Sequence, residues 1–127
     1  ICLISESTLN QIRLSLNEED AKNVTIISVT VDPERDNVSQ LSKWVNKWNY
    51  SWTHLTGTSQ QIIEVWKDWG VEVQELPPSN KTIIQLGHTS PLYILDEVGR
   101  KRIAYLAIGW NAADISHDIG VLLDSRS

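Results

Sequence analysis

A single cysteine, Cys2, and three histidines, His54, His88 and His117, are the side chains here that could hold a soft metal ion or move a proton near neutral pH. Cys2 lies just ahead of a helical pattern, and a thiol at a helix N-terminus is favoured as thiolate by the dipole and the unpaired N–H groups. Away from such a terminus the same residue reads as an inert buried thiol. His88 sits in Leu86-Gly-His-Thr-Ser-Pro91, a loop leading into a hairpin. His54 and His117 read as structural or exposed. His88 differs from them only where the fold carries it to Cys2. A thiolate and an imidazole meeting in one place suit Cu(I), which prefers sulfur and accepts imidazole nitrogen. They equally make a Cys–His redox or nucleophilic pair.

The other concentration of polar chemistry is Asp32-Pro-Glu-Arg-Asp36. It has a sufficient local explanation: Pro33 stops a strand, and Asp36 caps the next helix. Nothing in the run fixes three oxygens on one ion, as a hard cation needs. Pro91 precedes Gly99 by eight residues. That spacing fits both the cis-proline of thioredoxins and an ordinary trans-proline opening a strand. Four Asn-x-Ser/Thr triplets, Asn23-Val-Thr25 among them, are at chance level, and Trp44, Trp48, Trp66 and Trp69 are assigned to packing.

The element that must position these groups is Val24–Val31. Its Val, Ile and Thr residues carry no charge and put apolar side chains on both faces, as in a central strand covered on two sides. Leu9, Ile12 and Leu16 predict a first helix over 7–17, with 17–23 a loop. Asp36 is the expected N-cap of a second helix, with Val38, Leu41, Val45 and Trp48 on one face. Thr58-Ser-Gln-Gln61 predicts a capping box. The helix it opens buries Ile62, Ile63, Trp66 and Trp69, and Gly70 ends it.

Val71–Val73 reads as a brief strand, Leu76–Asn80 as a loop, and Ile83–Leu86 and Leu92–Leu95 as extended. Asp96-Glu-Val-Gly99 turns the chain into a strand over Ile103–Ile108, and Asn111 caps a closing helix through Ile115, Ile119 and Leu122. Helices come between the early strands and a hairpin plus helix comes last, which predicts an α/β thioredoxin-like sandwich, a central mixed sheet flanked by helices, with its first strand upstream of Ile1.

A chain of 127 residues with 41% hydrophobic content suits one domain, residues 1–127, with a real core. The net charge of −5 and the pI near 5.1 argue against nucleic acid, and the one basic cluster, Arg100-Lys-Arg102, reads as a solvated hairpin end. No run of 18 apolar residues is present. The chain has no methionine and opens on Ile1-Cys2, the reading of a segment whose leader or anchor lies upstream. One cysteine permits no internal disulfide.

Ile26-Ile-Ser-Val-Thr-Val-Asp-Pro-Glu-Arg-Asp36, then Leu55-Thr-Gly-Thr58, then His88 eleven residues before Gly99, resembles the Sco/SenC family over essentially the whole chain. The resemblance implies a thioredoxin-like copper chaperone. Its site would hold two cysteines of Cys-x-x-x-Cys-Pro and a distal histidine, which bind copper and support thiol–disulfide exchange. Carried over, Cys2 matches the second cysteine, a thiolate ligand and redox thiol, and His88 the histidine ligand.

The resemblance further implies an extracytoplasmic protein, in the periplasm or the mitochondrial intermembrane space, held by an N-terminal membrane helix. Its partner would be the CuA subunit of cytochrome c oxidase or another copper or thiol protein. Three positions depart from the pattern. The first cysteine would fall three residues before Ile1; Leu3 stands where the family has proline, for a looser helix start; Gly87 stands where many members have aspartate. The segment as written thus implies two ligands, weak copper binding and no internal disulfide chemistry. The same atoms without stored metal would make a thiol–disulfide reductase or thiol peroxidase, and with the first cysteine lost they would leave a partner-binding scaffold.

Overall fold

A computed structural model describes residues 3–76, 85–88, 90–106 and 110–125. The chain divides into two compact units, residues 1–56 with 109–127, and residues 57–108.

The first unit begins with α1, Leu3–Ser15, four residues earlier than the apolar spacing predicts. That spacing marks the buried face and not the helix ends. The expected loop after it contains a short helix α2, Glu18–Lys22, because the Asn17 side chain accepts the Asp20 N–H and supplies a cap. Strand β1, Ile27–Val29, pairs in parallel with β2, Thr53–Leu55, so that Ser28 lies opposite His54.

Double-sided burial of β1 is not what the structure shows. Ser28 and Thr30 point inward, whereas Ile27 and Val29 are exposed. Inner and outer side chains alternate along a strand, and the apolar set took the outer face. Helix α3, Val38–Trp48, is capped by Asn37 and not by Asp36, whose carboxylate is taken by the Thr30 hydroxyl at 2.6 Å. Leu41 is its buried residue, while Val38 and Trp48 are exposed. Asn49 closes the helix in the left-handed region at φ 53°. Helix α5, Ala112–Asp124, starts at the predicted Asn111 cap and buries Ile115 and Ile119. It packs on α1, where Ser15 and Ser116 share a hydroxyl hydrogen bond. Ile12, Leu41, Tyr50, Ile115 and Ile119 form the core of this unit.

The second unit opens with α4, Ser59–Trp69. The predicted capping box is complete: the Thr58 hydroxyl accepts the Gln61 N–H and the Gln61 side chain accepts the Thr58 N–H. Gly70 ends it at φ 68°. Ile62 is buried, but Ile63 is 43% exposed, one position off the inner face. Strand β3, Val73–Leu76, pairs antiparallel with β4, Gln85–His88, and β5, Leu92–Leu95, with β6, Lys101–Tyr105. Strand β6 begins and ends earlier than expected because the tight turn brings Lys101 directly opposite Leu95.

Asp96 organises that turn by accepting the Val98 and Arg100 N–H groups and the Arg100 guanidinium. The Arg100 backbone N–H is the main reason its carboxyl sits below the ordinary value of 3.8; desolvation opposes this, and the Arg100 side chain adds to it. The Tyr93 hydroxyl donates to the Trp69 carbonyl at 2.7 Å, and the Lys101 ammonium lies over both rings. No described peptide bond is cis, Ser90–Pro91 included.

Candidate metal centre

Of the two predicted ligands, Cys2 lies outside the described residues; it directly precedes Leu3, the first residue of α1. His88 belongs to the second unit. It is the last residue of β4, paired with Val73, and not part of a loop: the β3–β4 ladder runs two residues further than the apolar pattern, through Gly87. The loop expected at 76–80 lies outside the described residues except for Leu76, which ends β3.

The Asp32–Asp36 run is closed on itself. Thr30 Oγ1 accepts the Asp32 N–H, Asp32 pairs with the Arg35 guanidinium at 2.6 Å, and the Asp36 N–H donates to the Asp32 carbonyl. These bonds account for the motif as a rigid strand-to-helix turn. Among the described residues no group of three His, Cys, Asp or Glu side chains could hold a metal ion.

The arrangement that sequence reasoning missed lies beneath the first turn of α1. Glu6 and His54 are buried side by side, 6% and 3% exposed, with Glu6 Oε2 2.9 Å from His54 Nε2. On the far side of the ring, Nδ1 lies 2.9 Å from the Trp52 carbonyl. A carbonyl only accepts, so Nδ1 carries a hydrogen, and one further hydrogen lies between Nε2 and the carboxyl. Trp52 stacks on the imidazole at 5.3 Å, Trp44 meets it edge-on, and the Trp52 indole N–H donates to Ser28. His54 is thus structural, as its bland reading had it, but as part of a polar network.

The signal was available. Trp48, Tyr50, Trp52 and His54 recur at every second position, and the structure stacks their rings in that order from the end of α3 into β2. A cleft of about 460 Å³ opens between α3 and β2, lined by Leu41, Val45, Trp52, His54 and Thr56. His117 is exposed on α5.

Chemically, the first unit offers a helix whose N-terminal turn is tied to the sheet by a buried carboxyl–imidazole bond, with a thiol one residue ahead of it. No helix among the described residues is long and apolar enough to cross a membrane.

The fold is that of several solved Sco proteins. ScoI from Bradyrhizobium japonicum with copper bound superposes with a TM-score of 0.77 at 21% identity, over 94% of this chain and 74% of that one. Apo Sco1 from Thermus thermophilus gives 0.75 at 22%, over 95% and 70%. The α/β thioredoxin-like reading of the element order agrees with these neighbours. In sequence, the mitochondrial SCO2 homolog of Mus musculus is 26% identical over 94 residues, 74% of this chain and 37% of that protein. The mitochondrial SCO2 homolog of Bos taurus is 30% identical over 71 residues, 56% and 27%. The matched stretch therefore spans 27% to 37% of the length of these relatives. The SCO1/SenC family model matches residues 1–123, and the chain belongs to that family.

Proposed function

We propose that this chain is the copper-handling domain of a Sco-type chaperone. The single observation that carries the reading is the family match over residues 1–123, a span that includes Cys2 and His88; copper-bound ScoI structures of the same fold support the metal. Copper is the cargo. The Cys2 thiolate supplies a soft sulfur ligand at the start of α1, and the His88 imidazole supplies nitrogen from the end of β4. A low-coordinate thiolate–imidazole site holds Cu(I) and yields it by stepwise exchange with thiols of the recipient. Cys2 also serves as the redox thiol: its thiolate attacks a recipient disulfide to form a mixed disulfide and release one recipient thiolate, and a second thiol from an external dithiol reductant then attacks Cys2 to free the other.

The recipient is the CuA subunit of cytochrome c oxidase. The site works on the extracytoplasmic side of a membrane, in the periplasm or in the mitochondrial intermembrane space, the protein being held there by an N-terminal anchor. The word "mitochondrial" in the names of the SCO2 relatives supports the second compartment. Both ligands must shed protons to bind, so affinity falls as pH is lowered.

The test is Cu(I) competition titration of the full-length protein against a chromophoric chelator. Cys2→Ser and His88→Ala should each weaken binding by an order of magnitude or more. Unchanged affinity in both variants sinks the reading.

A further inference from the structure

Glu6 is an unusual first-turn residue. Acidic side chains near a helix N-terminus normally lie in water, where they complement the dipole at little cost. This one is 6% exposed and spends its carboxyl on a histidine of β2. Replacing a buried polar pair by apolar side chains is often neutral or stabilising, so stability alone is a poor account of it. The imidazole is itself held from three directions: Nδ1 on the Trp52 carbonyl, one face on Trp52 and an edge on Trp44. It is a fixed anchor, and what it anchors is the helical turn that follows Cys2.

We infer that His54 is a positioning residue for the Cys2 thiol: it holds the Glu6 carboxyl against β2 and thereby locks the first turn of α1. Two consequences follow for the residue just ahead of that turn. The N–H groups of the first turn, which have no carbonyl partner within α1, keep one direction, so the stabilisation they would lend a thiolate is preorganised. The carboxyl charge, shared in a hydrogen bond with the imidazole, is also drawn toward the sheet and away from the helix terminus, where it would oppose a thiolate. Neither His54 nor Glu6 touches the metal. The inference rests on Cys2 being a copper-binding thiolate.

The experiment compares Cu(I) affinity in the full-length protein for wild type, Cys2→Ser, His54→Gln and the double variant Glu6→Leu/His54→Leu. The double variant removes the pair without stranding a buried charge, so it stays folded by circular dichroism at the assay temperature. Its Cu(I) affinity should nevertheless fall roughly 10- to 100-fold, the usual cost of losing a group that orients a ligand. Hydrogen exchange at the first-turn amides of α1 should accelerate in parallel. In His54→Gln the amide nitrogen stands where Nε2 stood and still donates to Glu6, so affinity should return to within about threefold of wild type.

A folded double variant with wild-type affinity would overturn the inference and leave the pair a mere packing element. A His54→Gln loss as large as that of the double variant would overturn its hydrogen-bond basis. Wild-type affinity in Cys2→Ser would instead bring down the copper reading beneath it.

Discussion

Replacing His54 with leucine tests whether the buried Glu6–His54 bond governs the stability of the first unit. In the native chain the two side chains are 3% and 6% exposed and 2.9 Å apart. Leucine fills most of the imidazole volume but leaves the Glu6 carboxyl buried without its donor and the Trp52 carbonyl without its N–H. Removing one partner of a buried pair costs roughly 3–5 kcal/mol. With an unfolding entropy of about 2.1 cal/mol/K per residue, a chain of 127 residues loses about 4 °C of Tm per kcal/mol, so the expected fall is roughly 11–19 °C.

Glu6→Leu/His54→Leu leaves only the Trp52 carbonyl unpaired and should recover most of this, ending roughly 1–2 kcal/mol below wild type. Thermal and urea unfolding of wild type, both single variants and the double variant closes a mutant cycle, with a coupling energy of about 2 kcal/mol or more expected. A double variant as unstable as His54→Leu, with no coupling, would refute the reasoning, because the pair would then contribute nothing as a pair.

Other perturbations follow from local geometry. Thr58→Ala removes the hydroxyl that accepts the Gln61 N–H and should cost about 1 kcal/mol by urea unfolding, with Thr58→Ser restoring it. Gly70→Ala should cost about 1–2 kcal/mol, read from the same titration. The cause is the φ of 68° and not crowding, since an added Cβ would stand 3.6 Å from the Tyr93 hydroxyl, an ordinary contact. For Asp96 the folded carboxyl sits below the ordinary 3.8, so its contribution is complete above that value and disappears as pH falls through the folded one. Wild type should therefore exceed Asp96→Asn in stability at neutral pH, and the gap should close in acid; a gap independent of pH would mean that the charge is irrelevant.

The features legible in the sequence were those whose causes are local. The Thr58 capping box, the αL glycine at 70, the Asn111 cap and the Asp96–Gly99 turn each depend on bonds reaching no more than about five residues, and all are present. Cys2 and His88 could be proposed as ligands from residue type and motif spacing alone, because soft-metal chemistry asks for sulfur and imidazole nitrogen whatever the fold.

Tertiary structure decided what depends on which groups meet. Asp36 has every local qualification for a cap, yet Thr30, brought close by the turn, takes its carboxylate and passes the cap to Asn37. Ile27 and Val29 carry the strand's apolar character, yet Ser28 faces inward, because an indole N–H from β2's side of the sheet needs its oxygen. Glu6 and His54 are 48 residues apart and unremarkable singly. Only the parallel pairing of β1 with β2 sets His54 beneath the first turn of α1, and burial then obliges the two polar groups to satisfy each other.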